Sequence, residues 1–224
     1  MNLNKHLEFL EPAKYNKQIH IIGVGAVGSR IGEQIARLGF DNVVIYDFDT
    51  VEDVNIPNQL FIQEDIGKSK VDAMEKHLLG INPRMKIRKM PKGFHGQPLS
   101  GTVFLAVDSI DLRRSIVSDN LHNNNIDIMF DGRMRLTDAQ YYGAVWSSVA
   151  QREILLDSMQ FTDADAKKAT PVSACGSSLS VVPTVVCLAS FAVSNFINFL
   201  KGEDVVNMAF IDPFKGFVDA NVYK

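Results

Sequence analysis

Three glycines in the run Gly23-Val24-Gly25-Ala26-Val27-Gly28 follow directly on a mostly β-branched apolar segment, Ile19 to Ile22, in G-x-G-x-x-G spacing. Without Cβ atoms such a loop can touch phosphate oxygens, and the N–H groups of the next helix's first turn point at the same oxygens. Ser29, opening that helix, offers a hydroxyl donor. Asp47 stands about 20 residues beyond the last glycine, where a dinucleotide fold places the carboxylate that holds a ribose hydroxyl. Two further charges belong to the same edge of a doubly wound sheet: Lys70, on a helix, and Asp108, at the end of the apolar run Thr102 to Val107. Hydride transfer needs neither of them. Attack on the α-phosphate of ATP needs both, because a cation must meet the charge developing on the phosphates and a carboxylate must hold Mg²⁺.

The elements that position these groups follow from the apolar spacing. Val27, Ile31, Ile35 and Leu38 recur at helical intervals up to Gly39, a C-terminal glycine, and Val43 to Ile45 form the next strand. A polar loop from Asp49 to Gln59, interrupted by Pro57, leads to a second helix in which Ile66, Lys70, Met74 and Leu78 are spaced by four, with Lys70 at its inner edge. Asn82-Pro83 stops that helix, and Met85 to Met90 alternates as a strand. Thr102 to Asp108 reads as a central parallel strand, Asp111 as the cap of a helix carrying Leu112, Ile116 and Leu121, and Ile126 to Phe130 as another buried strand. Tyr141 to Val149, Val205 to Ile211 and Phe217 to Tyr223 read as an antiparallel extension, and Asp163 to Ala169 as a polar loop. The expected fold is α/β: a Rossmann-like, doubly wound, mainly parallel sheet with an antiparallel C-terminal extension. One domain is expected, with residues 1–17 an N-terminal arm bearing Leu3, Leu7 and Leu10 on one helical face, residues 18–135 the nucleotide-binding half, and residues 136–224 the extension.

Composition narrows the partners. A chain of 224 residues with 46% hydrophobic and 22% charged residues can bury a substantial core. A net charge of −3 leaves no bulk attraction for nucleic acid or an anionic membrane. The basic run Arg84 to Lys92 reads as a solvated strand edge. Two cysteines, Cys175 and Cys187, cannot form a tetrathiolate site, so no structural zinc is expected. The N-terminus lacks the apolar core of a signal peptide, which makes cytoplasmic localisation the expectation. Leu179 to Leu200 is long enough to span a bilayer but carries two asparagines and a proline, and is read as a buried helix. A helix apolar over so much of its circumference is expected to finish its burial in a homodimer, with Phe196 on the shared face.

Taken together, the motifs resemble the ThiF/MoeB superfamily, the ubiquitin-activating-enzyme-like adenylyltransferases. The resemblance rests on the glycine run with Ser29, on Ala36 to Gly39, Asp47-x-Asp49-x-Val51, Asn55-Ile56-x-x-Gln59, Gly67-x-x-Lys70, Asn82-Pro83, and Asp108 ahead of Arg113. It covers the first half of the chain in register and continues more weakly through Cys175 and Pro183. It implies that Gly23, Gly25, Gly28 and Asp47 bind ATP, that Asn55 and Lys70 face its phosphates within a segment that also includes Asp49, Asn58 and Gln59, and that Asp108 is the Mg²⁺ ligand. It further implies activation of the C-terminal glycine of a ubiquitin-like or sulfur-carrier protein or peptide as an acyl-adenylate, usually by a homodimer.

Three departures qualify this. Asn58 stands where family members usually carry arginine, residues 1–17 contain no arginine to reach a second subunit's site, and the zinc cysteines are absent. Cys175, in a Ser-Ala-Cys-Gly-Ser setting, aligns with the thiol some relatives use after adenylation, while Cys187 reads as structural. An NAD-linked oxidoreductase explains the glycines and Asp47 but leaves Lys70, Asn55 and Asp108 idle. A nucleotide-binding scaffold without turnover is the reading that Asn58 favours.

Overall fold

In the computed structural model, which describes residues 1–169, 172 and 179–223, the glycine run lies where a buried strand hands over to a helix. The strand β1 (Ile19–Ile22) is buried at every position, and α1 (Ala26–Leu38) ends at Gly39, whose φ of 96° is the left-handed conformation that glycine adopts without strain. β2 (Asn42–Tyr46), β3 (Lys86–Met90), β4 (Gly101–Leu105) and β5 (Ile126–Met134) join β1 in the parallel order β3-β2-β1-β4-β5. β6 (Ala139–Val145), β7 (Met208–Asp212) and β8 (Phe217–Asn221) extend the same sheet antiparallel.

Strands covered on both faces must be apolar throughout, which is why β1, β2 and β4 read as continuous runs. One face packs α1, α2 (Lys70–Ile81) and α6 (Val182–Lys201) through Ile31, Ile35, Met74, Leu78 and Leu188. The other packs α3 (Ile110–Asp119) and α4 (Val149–Asp157) through Ile116, Val117 and Leu155, with α5 (Asp163–Ala169) beside α3. Strand order reverses between β1 and β4, and at such a point the loops leaving the carboxyl ends diverge and open a crevice.

Several expectations change. Asp163 to Ala169 is a helix, and Val149, expected to end a strand, instead opens α4 behind the cap Ser148, whose side chain accepts the Gln151 N–H. Ser109 rather than Asp111 caps α3, accepting the Leu112 N–H, while Asp111 pairs with Arg114 inside the helix. The N-terminal arm forms turns and a short 3-10 segment, Pro12–Lys14, and of its three leucines only Leu10 is buried. α6 is long and apolar enough to cross a membrane, yet Thr184, Val185, Leu188, Ala192, Asn195 and Phe196 are buried within the protein. Phe196, expected on an exposed face, is fully buried and meets Tyr15, Phe40, Phe104 and Phe130 edge-on or tilted.

Candidate active site

A cleft of about 960 Å³ runs along the carboxyl edge of the parallel strands. It is lined by Gly23 and Gly25 after β1, Asp47 after β2, Lys92 to His95 after β3, Asp108 after β4 and Gly132 to Arg135 on β5 and just past it. The three glycines divide into two roles. A Cβ on Gly23, whose φ is 90°, would lie 2.8 Å from the backbone of Ala106 and Val107, and one on Gly28 would lie 1.9 Å from the Gly23 carbonyl oxygen. Those two let the loop fold on itself and against the exit of β4. A Cβ on Gly25 would meet nothing within 4 Å, so this glycine keeps the loop backbone bare toward the cleft.

Asp47 is buried, and its carboxylate accepts the Val24 N–H at 2.8 Å and the Asp49 N–H at 2.9 Å, one on each oxygen. These bonds tie the strand end to the glycine loop and leave further lone pairs for a ligand. Lys70 is also buried, and its Nζ donates to Asp49 at 2.8 Å. The register of that pair comes from the backbone. Lys70 N–H donates to Asp49 O, Val51 N–H to Lys68 O and Gly67 N–H to Val51 O, so the entrance to α2 is laced to the segment after β2. Asp65 anchors the approach: burial raises its pKa, but hydrogen bonds led by His77 overcome this and hold it down at about 2.

The Asn55 to Gln59 segment forms the upper wall. Asn55 accepts the Glu52 N–H through its amide oxygen, which leaves its NH₂ as a donor at the cleft. Asn58 donates to the Ser180 hydroxyl, and its own oxygen, like that of Gln59, is buried with no partner among the described residues. Ser29 departs from expectation. It is fully buried, its hydroxyl donates to Ala26 O and accepts the Leu60 N–H, and it therefore docks the upper wall on α1 instead of presenting a donor to the cleft. Arg30 helps, donating to Gln59 O.

β4 is shorter than its apolar run, so Asp108 lies three residues past its end, exposed, with no hydrogen bond or ion pair among the described residues. Its loop is gripped on two flanks. Inside, Arg113 donates to Leu105 O, to Val107 O and to Asp131, a fully buried carboxylate that also receives Arg133 Nε at 2.6 Å. Outside, Asp163 accepts the Ser109 hydroxyl at 2.8 Å and the Ile110 N–H at 2.6 Å. Burial pushes the Asp163 carboxyl up, while hydrogen bonds from Ser109, Asp111 and Ile110 outweigh that and keep it below the usual range.

Of the residues picked from sequence, the fold brings Gly23, Gly25, Asp47, Asp49, Asn55, Asn58, Gln59, Lys70 and Asp108 onto one cleft, with Gly28 beneath the loop and Ser29 turned inward. Cys175 lies outside the described residues. Asp131, Arg133 and Asp163 were not foreseen. The first two carried a faint signal, an acid and an arginine two apart at the end of a buried strand; Asp163 carried none, because its partners are more than fifty residues away.

The model of the ThiF family matches residues 13–220. The chain belongs to the ThiF family. Curated relatives include ubiquitin-like modifier-activating enzyme 5 of Oryza sativa subsp. japonica, 42% identical over 65 residues, which is 29% of this chain and 15% of that protein. The Drosophila persimilis enzyme of the same name is 34% identical over 87 residues, 39% of this chain and 22% of that protein. The matched stretches span less than a quarter of the length of either relative. E. coli MccB, solved with ATP, shares the fold with a TM-score of 0.72 at 15% identity, over 92% of this chain and 64% of MccB. PaaA does so with a TM-score of 0.68 at 16% identity, over the same shares of each chain.

Proposed function

We propose that this ThiF-family chain binds ATP and Mg²⁺ and adenylates the C-terminal carboxylate of a ubiquitin-like or sulfur-carrier protein, or of a peptide. The observation that carries the reading is the convergence of Asp47, the bare backbone at Gly25, Lys70 and Asp108 on one cleft. Asp47 holds the ribose hydroxyls at the β2 end. The loop amides and Asn55 meet the phosphates, and Lys70, turning from Asp49, meets the charge that builds on them. The substrate carboxylate oxygen attacks the α-phosphorus, forming one P–O bond as the bond to pyrophosphate breaks. Family membership, relatives named for ubiquitin-like modifier activation, and MccB structures holding ATP or both AMPCPP and MccA all favour this over hydride transfer.

Asp108 suits Mg²⁺ on chemical grounds. It is a single free carboxylate facing the cleft, and among the described residues no cluster of three or more His, Cys, Asp or Glu side chains could hold a metal. An ion bound by one carboxylate and completed by phosphate oxygens and water is the usual arrangement for Mg²⁺, which neutralises charge on the phosphates. Asn58 supports a second reading, a nucleotide-binding scaffold, because its uncharged amide is tied to Ser180 where a cation would aid turnover. Pyrophosphate exchange into ATP with a carrier protein or peptide ending in glycine separates the two. Exchange that requires the free C-terminal carboxylate supports adenylation, and ATP binding without exchange supports the scaffold.

A further inference from the structure

The loop that carries Asp108 makes an abrupt passage, from Leu105 at the end of β4 to Ile110 at the start of α3. Asp108 itself bonds to nothing among the described residues, so its position depends on its neighbours. Those neighbours are held on one flank by a side chain of α3 itself and on the other by one from the distant α5. Arg113 takes the Leu105 and Val107 carbonyls, and its guanidinium is fixed by Asp131, buried between Arg113 and Arg133. Arg133 is itself held by Ser158, through both its carbonyl and its hydroxyl at 2.8 Å, and lies over the Tyr142 ring at 4.6 Å. From the opposite flank Asp163 takes the Ser109 hydroxyl and the Ile110 and Asp111 amides, engaging both of its oxygens. Ser109 already receives the Leu112 N–H, and Asp163 takes the Ile110 and Asp111 N–H groups that Ser109 leaves open in the first turn of α3. What Asp163 adds is a tether from α5 to the residues either side of the Ser109 peptide.

We propose that Asp163, working against the buried Asp131 on the other flank, is a positioning residue that holds Asp108 where a nucleotide-bound Mg²⁺ meets it. The inference rests on the adenylation reading above. Partners that orient a metal ligand matter nearly as much as the ligand, and their loss costs roughly tenfold or more in affinity. Asp163 is the better handle, being half-buried on a short helix, whereas removing Asp131 strands the buried Arg113 and the part-buried Arg133 guanidiniums and risks the fold.

The test is ATP affinity by calorimetry with and without Mg²⁺, for the wild type, Asp163→Ala, Asp163→Asn, Asp108→Asn and the double variant Asp108→Asn/Asp163→Ala. The expected result is that Asp163→Ala leaves Mg²⁺-free ATP affinity within about twofold and removes roughly tenfold of the Mg²⁺ enhancement. Asp163→Asn, keeping one acceptor, should fall between, and Asp163→Ala should have no further effect once Asp108 is gone. If Asp108→Asn abolishes the Mg²⁺ enhancement while Asp163→Ala leaves it intact, or lowers both affinities equally, the positioning role is overturned and the adenylation reading stands. If Asp108→Asn leaves the enhancement unchanged, the metal assignment itself falls and the positioning role falls with it.

Discussion

Replacing Gly28 by alanine should damage the fold and replacing Gly25 should damage only the site, although both belong to one motif. The new Cβ at position 28 would lie 1.9 Å from the Gly23 carbonyl oxygen and 3.0 Å from its carbon. Carbon and oxygen approach no closer than roughly 3.3 Å, so the loop would have to open by about 1.4 Å against a neighbour made of backbone. Overpacking of this kind costs about 1–3 kcal/mol, and a chain of this size loses about 2–4 °C in melting temperature per kcal/mol, so a fall of roughly 2–12 °C is expected. At position 25 the Cβ meets no protein atom within 4 Å, and the melting temperature should move by less than about 2 °C. There the methyl group occupies the space a phosphate needs, so the ATP-dependent rise in melting temperature should shrink. Thermal unfolding followed by circular dichroism, with and without ATP–Mg²⁺, gives both quantities. A Gly28→Ala protein as stable as the wild type, or a Gly25→Ala protein less stable than it, would refute the division of roles.

His20 is sealed between Tyr46 and Ser100, and burial with the nearby Arg88 charge lowers its pKa from 6.5 to about 4. The unfolded chain takes up this proton before the folded one does, so the His20 contribution is fully present well above pH 6.5 and is lost toward pH 4, by about 3 kcal/mol at 1.36 kcal/mol per pKa unit. Urea unfolding across that range should show the slope, and a His20→Asn variant with the same slope would contradict it. Lys70→Ala should lower pyrophosphate exchange sharply and Lys68→Ala little, since Lys70 is buried at the cleft and Lys68 is a half-exposed partner of Asp65; the reverse order would refute the Lys70 role. Phe196→Ala should cost about 3–5 kcal/mol whatever the assembly state, because the ring is fully buried. The expected homodimer is therefore tested on the wild-type protein, by light scattering without detergent, and an active monomer at micromolar concentration would dismiss it.

The strand, glycine loop, helix and acid from Ile19 to Asp47 were legible because each is a local pattern: a β-branched run, a glycine spacing, a four-residue period, a terminal glycine. Lys70 was legible for the same reason, since its helical phase with Met74 and Leu78 sets it on the inner edge. Boundaries decided by distant partners were not. β4 stops at Leu105 although its apolar run continues, because Gly23 packs against Ala106 and Val107 and the chain turns there. Ser29 reads as a phosphate donor in sequence, and only the arrival of Leu60 from the upper wall shows that its hydroxyl is already engaged. The charged repeat Asp163 to Ala169 lacks apolar periodicity, so its helix and its hold on α3 come from tertiary contact rather than from pattern.

Whether the cleft holds ATP with its ribose on Asp47 is measured by calorimetric titration of ATP–Mg²⁺ into the wild type and Asp47→Ala. A charge-assisted hydrogen bond contributes roughly 1.5–3 kcal/mol, so binding should be saturable in the wild type and at least about tenfold weaker in a variant that remains folded. Absence of ATP binding to the wild type, or equal affinity in a folded Asp47→Ala protein, would contradict it.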